Sequence, residues 1–431
     1  MNNKKFNSFI EKLGEPRIPS PIVNGKFEKD TSRILWDISL KERKIKDKED
    51  IISLEIAGPR EMIYFDPKKV KAAIVTCGGL CPGINDVIRA IVLTLYYTYG
   101  VRNIVGVKYG LQGFIPKYGH EFVELSPDVV SGIHQLGGTV LGTSRGPQNI
   151  EEVVDCLEMT NIDMLFIIGG DGTLKAGEEI HQEIKRRDLK ISIIGIPKTI
   201  DNDIALIARS FGFDTAVEKA AEVLRCAHVE ATGAPNGIGL VKVMGRESGF
   251  IACNAALAHK DTNVVLIPEV EFDLYGPKGL FRYLKQRILD RSHAVIVVAE
   301  GAGQHFFKKR KKERDASGNI KLENIGIYLK EKIEQYFKRI RMPVNIKYFE
   351  PSYIIRSIPA NSNDSIYCGF LGTNAVHAAM AGKTGMLVGE WNNVYIHLPF
   401  SSVVNKRKKV DINGKLWMSV LESTGQPSFK N

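Results

Sequence analysis

Three turns of this 431-residue chain combine residue types suited to phosphate and cation chemistry. Ile196-Pro197-Lys198-Thr199-Ile200-Asp201-Asn202-Asp203 sets two carboxylates at i and i+2 beside a threonine and a lysine. That constellation suits the deprotonation of a hydroxyl next to a phosphate site. An isolated Asp-Asn-Asp, by contrast, reads as an Asx-rich turn. Ile167-Ile168-Gly169-Gly170-Asp171-Gly172-Thr173 follows an apolar run and opens a helix-like segment. A carboxylate there opposes a bare phosphate, so Asp171 suggests Mg²⁺ carried with a nucleotide phosphate. Its structural alternative is a helix cap ahead of Thr173. Gly78-Gly79-Leu80-Cys81-Pro82-Gly83-Ile84-Asn85 supplies glycines that let backbone approach an anion at a helix N-terminus. Alone this is a weak signal, because tight strand-to-helix turns use glycine without any ligand. It is not a dinucleotide Gly-x-Gly-x-x-Gly, and no Walker A sequence is present: Gly382-Lys383-Thr384 looks like the end of one, but His377 stands where its first glycine belongs.

Each turn must be carried by an element on either side. Short apolar runs ending near glycine fall at 72–76, 103–107, 164–168, 192–196, 238–243, 264–267, 294–299 and 386–388. Amphipathic stretches lie between them at 84–99, 173–187, 214–231 and 277–291. Continuous apolar strands alternating with helices predict parallel sheets covered on both faces. The strands outnumber what one small sheet needs, so the expected fold class is α/β with two doubly wound, Rossmann-like lobes. Ligands of such sheets bind at the carboxyl ends of the strands, where the glycine-rich turns lie. Residues 1–70 read differently, with Pro16, Pro19, Pro21 and Pro59, a charged stretch from Lys41 to Asp50 and little periodicity. They form an N-terminal extension that packs on, or reaches out from, the main body.

Composition narrows the function classes. With 44% hydrophobic and 25% charged residues, the chain is an ordinary folded protein rather than a disordered or collagenous one. No stretch approaches the roughly 18 apolar residues of a membrane span, and Met1-Asn2-Asn3-Lys4-Lys5 lacks the apolar core of a signal peptide. The net charge of +10 invites a nucleic-acid reading. However, Lys308–Lys312 and Lys406–Lys409 hold nine positive charges between them, leaving the rest nearly balanced. These runs are expected to be solvated surface outside every motif, with no nucleic-acid partner. Cys77, Cys81, Cys156, Cys226, Cys253 and Cys368 form no Cys-x-x-Cys pair, and the expectation is free buried thiols in a reducing cytoplasm.

Taken in order, the three turns strongly resemble the 6-phosphofructokinase family. Gly142-Thr143-Ser144-Arg145-Gly146, Phe213-Asp214-Thr215-Ala216, Val243-Met244-Gly245-Arg246 and Ala299-Glu300-Gly301 extend the match, as does Glu350-Pro351-Ser352-Tyr353-Ile354-Ile355-Arg356, a form of substrate loop seen in longer family members. The resemblance covers about 71–400 and is most specific at Pro-Lys-Thr-Ile-Asp-Asn-Asp with Met-Gly-Arg. It implies the phosphofructokinase fold, with an active-site cleft between a donor lobe (71–212, completed by 357–390) and a fructose 6-phosphate lobe (213–356, completed by 391–431). It also implies transfer of a phosphoryl group to the 1-hydroxyl of fructose 6-phosphate by a cytoplasmic homo-oligomer, a dimer or tetramer.

By the same resemblance Asp201 is the general base, Thr199 hydrogen-bonds near the transferred group, and Asp171 holds Mg²⁺. Gly79 and the Gly170, Asp171, Gly172, Thr173 turn cradle phosphates, while Arg145 and Gly146 meet the nucleotide. Ile200, Met244, Gly245 and Arg246 line the sugar site, with the catalytic Arg246 charge near the phosphoryl or substrate oxygens, and Glu300 accepts from sugar hydroxyls. Tyr353, Ile354, Ile355 and Arg356 belong to the substrate loop, with Tyr353 and Arg356 at the 6-phosphate. Gly172 and Lys198 discriminate the donor. Pyrophosphate users in the family carry Asp at the position of Gly172, where it would repel a nucleotide α-phosphate; Lys198 is common to pyrophosphate users and to the long ATP-using branch. A steric and charge block outweighs a permissive cation, so ATP is the expected donor and pyrophosphate the alternative. A non-catalytic paralogue should have lost Asp171 or Asp201, and a dinucleotide or lipid kinase sharing Gly-Gly-Asp-Gly would lack the segments from Thr199 to Arg356. Two departures stand out. No arginine lies in 233–243, only Lys242, so the cross-subunit arginine contact and allosteric site of short bacterial members do not carry over. Those short members also lack the extension.

Overall fold

The computed structural model describes residues 8–23, 25–37, 52–307, 313–314 and 320–431. The chain divides into two units, one of 1–199, 204–212 and 358–406, the other of 200–203, 213–357 and 407–431.

Among the described residues the first unit is built on a nine-stranded sheet. Its centre is parallel, in the order Met386–Trp391, Ser192–Pro197, Met164–Gly169, Lys71–Thr76 and Asn103–Val107. The 164–169 and 192–197 strands are buried along their whole length, as unbroken apolar runs such as Met-Leu-Phe-Ile-Ile require. Register sets Thr76 beside Ile168 and Gly169 beside Pro197, so the ends of all three turn-bearing strands coincide. Helices Ile84–Leu93, Asp171–Arg186 and Ser362–Met380 flank this sheet. The first continues as a π-helical turn over Thr94–Tyr99, in place of the single α-helix expected across 84–99.

The extension belongs to this unit. Val394–Pro399 pairs antiparallel with 386–391 on one side and with Ser53–Ile56 on the other, and Arg33–Leu35 pairs with 53–56. The 394–399 strand was expected to complete the second lobe; its ladder to 386–391 instead keeps it in the first unit, which ends at 406. A buried charge cluster joins the extension to the sheet. Glu55 accepts from Arg60 Nη2 (2.9 Å) and His397 Nδ1 (2.9 Å) and lies 2.7 Å from Lys383 Nζ. Asp30 accepts from Arg60 Nε (2.9 Å) and Lys383 Nζ (2.8 Å). Burial alone would raise the Glu55 carboxyl, but the hydrogen bonds and charges of His397 and Lys383 outweigh it and hold it down at about 2.

Among the described residues the second unit has a four-stranded parallel sheet in the order Val264–Leu266, His293–Ala299, Gly237–Val243 and Asn345–Phe349. One face carries helices Phe213–Thr232 and Phe250–His259 with Lys415–Thr424, through a core including Leu224, Ala227, Val241, Val295 and Trp417. The other carries Leu280–Arg291 and Ile325–Arg339 through Leu284, Ile296, Leu329 and Phe337. Two small-residue approaches are tight: a Cβ on Gly239 would lie 2.6 Å from the Ala227 carbonyl oxygen, and one on Gly237 would lie 2.0 Å from that of Ala231. Among the described residues no helix is long and apolar enough to cross a membrane.

Candidate active site

In the first unit the ladders run past the strand ends into the turns. Cys77 N–H donates to Ile168 O (2.9 Å) and Lys198 N–H to Gly169 O (2.8 Å). Lys198 is buried, and its ammonium donates to the Gly79 carbonyl at 2.6 Å, tying the third turn to the first. The 142–146 segment clamps the same glycines: Thr143 Oγ1 donates to Gly78 O (2.7 Å) and Gly78 N–H to Ser144 O (3.1 Å). Gly78 (φ 85°) and Gly146 (φ 94°) take left-handed conformations that a side chain would strain. A Cβ at Gly79 would sit 3.4 Å from Arg145 Nη2, so the guanidinium lies against this turn.

Asp171 stands in the first turn of its helix, where Thr173 and Leu174 donate N–H to Gly170 O (both 2.9 Å). A Cβ at Gly170 would be 3.1 Å from Lys198 O, whereas one at Gly172 would meet nothing within 4 Å. Gly79, Arg145, Gly170, Asp171, Gly172, Thr173 and Lys198 are thus brought to one end of the sheet, with Gly146 beside Arg145. Two cations, a helix N-terminus and side-chain-free backbone suit a phosphate chain. The carboxylate of Asp171 beside them is a hard oxygen ligand of the kind Mg²⁺ takes, together with phosphate oxygens. Thr199 ends this half, its carbonyl accepting from Ser210 Oγ (2.5 Å).

In the second unit the strand ends at Val243, Ala299 and Phe349 are neighbours, because 237–243 lies between 293–299 and 345–349. Asp201 is fixed from there: Arg246 N–H donates to its Oδ2 (3.2 Å) and Ser248 Oγ donates to its carbonyl (3.0 Å). Gly245 has φ 126° and Gly301 N–H donates to its carbonyl (3.0 Å). A Cβ on Gly301 would come within 1.9 Å of Arg246 O, so only glycine lets Glu300 approach the 244–246 turn this closely. Burial, then the charges of Asp203 and Glu300, raises the Asp201 carboxyl to about 7, against the Arg246 N–H and the Arg356 charge. Burial also pushes Glu300 up, opposed by Lys242, Arg246 and Arg356. Lys242 pairs with Glu350 at 2.6 Å. The Arg246 guanidinium also donates to the Ile320 carbonyl.

The substrate-loop residues differ in burial. Tyr353 and Ile354 are exposed, and Arg356 lies 5.6 Å from the Tyr353 ring centre. Ile355, expected in the substrate loop, instead turns its side chain wholly into the core, because the loop is a short helix, Ser352–Ser357, with one apolar face. The Met244 side chain is likewise buried in that core, and Ile200 packs against it. The basic run 406–409 is not merely solvated surface. Arg407 Nη1 lies 3.3 Å from Asp203 Oδ2, Lys408 N–H donates to Asp203 O (2.8 Å), and Lys408 Nζ donates to Asn202 Oδ1 (3.1 Å). Burial pulls the Lys408 ammonium down to about 8, against the Asp203 charge. Pattern alone missed these partners, 204 residues away from Asp203 for Arg407; the only signal was a cation excess facing a carboxylate pair. The other basic run, 308–312, lies outside the described residues. Of the cysteines, Cys77, Cys81, Cys253 and Cys368 are buried, but Cys226 is exposed and Cys156 partly so.

A family model described as Phosphofructokinase matches residues 71–379. The chain is similar to an ATP-dependent 6-phosphofructokinase of Borreliella burgdorferi, 51% identical over 445 aligned positions covering 100% of this chain and 99% of the relative. It is similar, too, to an ATP-dependent 6-phosphofructokinase of Amycolatopsis methanolica, 49% identical over 87% of this chain and 83% of the relative. A crystal structure of a pyrophosphate-dependent phosphofructokinase from Marinobacter aquaeolei shares the fold with a TM-score of 0.67 at 20% identity, over 84% of this chain and 92% of that one. Motifs, strand-end geometry and these likenesses agree, and the chain belongs to the phosphofructokinase family.

Proposed function

We propose that this chain is an ATP-dependent 6-phosphofructokinase, transferring the γ-phosphoryl group of ATP to the 1-hydroxyl of fructose 6-phosphate. The observation that carries the chemistry is Asp201, a carboxylate held by Arg246 N–H and raised to about 7, where a base works best near neutral pH. In this reading Asp201 accepts the hydroxyl proton as the sugar oxygen bonds to the γ-phosphorus. The bond from that phosphorus to the bridging oxygen breaks, and ADP leaves with the electron pair. Phosphoryl transfer is mostly positioning and charge neutralisation. Arg145 with Gly146, Gly79 and the Gly170–Thr173 turn would hold the phosphate chain, Thr199 would hydrogen-bond near the transferred group, and Lys198 would order the turn beside it. Gly245, Arg246 and Glu300 would orient the sugar beside the Met244 backbone, with Tyr353 and Arg356 at its 6-phosphate. Asp171 would hold Mg²⁺, which supplies charge neutralisation on the nucleotide phosphates when bound.

ATP as donor is supported by the Borreliella relative and by the open space at Gly172. Lys198 is the feature that also suits pyrophosphate. Purified protein assayed with fructose 6-phosphate and each donor in turn decides: turnover with ATP is expected, and turnover with pyrophosphate alone would overturn the reading. A cytoplasmic homo-oligomer, dimer or tetramer, goes with this reading, and sedimentation velocity on the purified chain tests the assembly.

A further inference from the structure

A second cluster of ligand-type side chains sits at the opposite end of the second unit's sheet from Asp201. His228 on the 213–232 helix, His259 at the end of the 250–259 helix, and Asp261 just beyond it each bring a ligand atom to within 4.8 Å of the others. Lys260, in a left-handed conformation (φ 69°), ends the helix between them. Apolar packing of these two helices through Leu224, Ala227 and Ala256 fixes the distance between their imidazoles.

We propose that His228, His259 and Asp261 form a binding site for a transition-metal ion of the Zn²⁺ class, independent of the catalytic Mg²⁺. Two imidazoles and a carboxylate match the nitrogen and oxygen donors that Zn²⁺ and Co²⁺ take, with a fourth position for water. Mg²⁺, which prefers an all-oxygen octahedron, fits this set poorly. Two further observations point to a ligand. The His228 Nδ1 atom is buried and has no hydrogen-bond partner among the described residues, an arrangement that is costly unless something occupies it. His259 Nδ1 is 3.1 Å from Thr262 Oγ1; with Nδ1–H donating there, Nε2 keeps its lone pair for a metal, the outer-sphere arrangement common in zinc sites. His293, whose ring centre is 5.3 Å from that of His228, is held by its own contact to Arg291 O (2.9 Å) and borders the site. Arg225, one turn earlier on the His228 helix, is the opposing charge, and the Asp261 carboxylate offsets it.

The location separates this site from catalysis. His293 starts a seven-residue strand whose far end leads into Glu300, so at about 3.3 Å per residue the two sites lie on the order of 20 Å apart. The test uses the full chain with saturating Mg²⁺, titrated with Co²⁺ and followed by visible absorption, then with Zn²⁺ by calorimetry. A Cys226→Ser background removes the exposed thiol on the same helix as a rival ligand. One equivalent of Co²⁺ is expected to bind with visible bands that Zn²⁺ abolishes. His228→Gln and Asp261→Asn should each weaken binding at least about tenfold, while turnover in Mg²⁺ alone stays unchanged. That turnover also reports that the variants are folded; should the kinase reading itself fail, cooperative melting serves the same purpose and leaves the metal result intact. Absence of stoichiometric binding, or equal binding by both variants, would overturn the site.

Discussion

Asp201, the proposed base, shows how a buried carboxylate can cost stability. Its carboxyl is raised to about 7 by burial and by the nearby Asp203 and Glu300, so the ionised form is less favourable in the folded chain than in the unfolded one. For a carboxyl with a raised folded value, the penalty is absent well below pH 4, grows above it, and is complete above pH 7. Asp201→Asn should therefore lower kcat by at least about 10²-fold and raise Tm at pH 8, with the gain shrinking toward pH 4. Near-normal turnover would sink its assignment as the base, and an unchanged Tm would sink the account of its charge. Asp203→Asn removes the larger neighbouring charge, so the acid limb of kcat/KM should move below pH 7; a limb left in place would show no coupling. At Gly172 the space for a side chain is open, so Gly172→Asp should fold with its Tm little changed. Loss of ATP turnover in that variant then reports repulsion of the nucleotide, and unchanged ATP kinetics would refute the donor argument. Residue types at the turns were readable because glycine, aspartate and threonine act within their own turn. Arg407 and Lys408 were not, because their role depends on a contact that no local pattern announces.

The parallel strands were the most legible elements. Asn103–Val107 matches its apolar run to the residue, and Met164–Gly169 and Ser192–Pro197 each run one residue beyond theirs. Such strands are buried on both faces, so their apolar runs are continuous and stop where the turn begins. Asn345–Phe349 and Val394–Pro399 escaped the pattern. The first carries Lys347 and mixes polar with apolar positions, and the second ends in Pro399 after an internal His397 that pairs with Glu55 inside the core. Helix Ser362–Met380 escaped too, since small and polar residues such as Gly372 and Asn374 pack within it; a Cβ on Gly372 would lie 2.7 Å from that of Ala90. Charge inside an element has its own consequence. Lys383, buried, serves both Asp30 and Glu55. Lys383→Met removes the cation and leaves both carboxylates short of a partner, at a cost of about 3–5 kcal/mol. Thermal melting should show a drop of several degrees at pH 7, and a variant as stable as the parent would mean that Arg60 and His397 suffice.

On the scale of the whole chain, the open question is what the extension does. The family model begins at residue 71, yet similarity to the Borreliella relative spans the entire chain. The structure gives a physical reason for keeping the extra segment. Residues 53–56 cover the edge of the 394–399 strand, and an uncovered apolar edge is a template for aggregation. Trp36 stacks on Trp391 with ring centres 3.8 Å apart, and its carbonyl accepts from the Trp391 indole N–H (2.9 Å). Glu55, Arg60 and Asp30 complete the charge cluster around Lys383 and His397. A chain beginning at residue 71 would expose that edge, unstack Trp391 and strand a buried lysine without either carboxylate. Burial already pushes His397 down to about 4, and without Glu55 nothing in the cluster would favour its charged form. The expected result is a truncated protein that is largely insoluble or aggregated by size-exclusion chromatography, with any soluble fraction melting far below the full chain. Adding the separate peptide 8–70 should restore part of the lost stability if edge pairing is the cause. A truncated chain that stays monodisperse and melts within a few degrees of the full one would show that the extension merely lies on the sheet, and that its strands contribute nothing to the unit they extend.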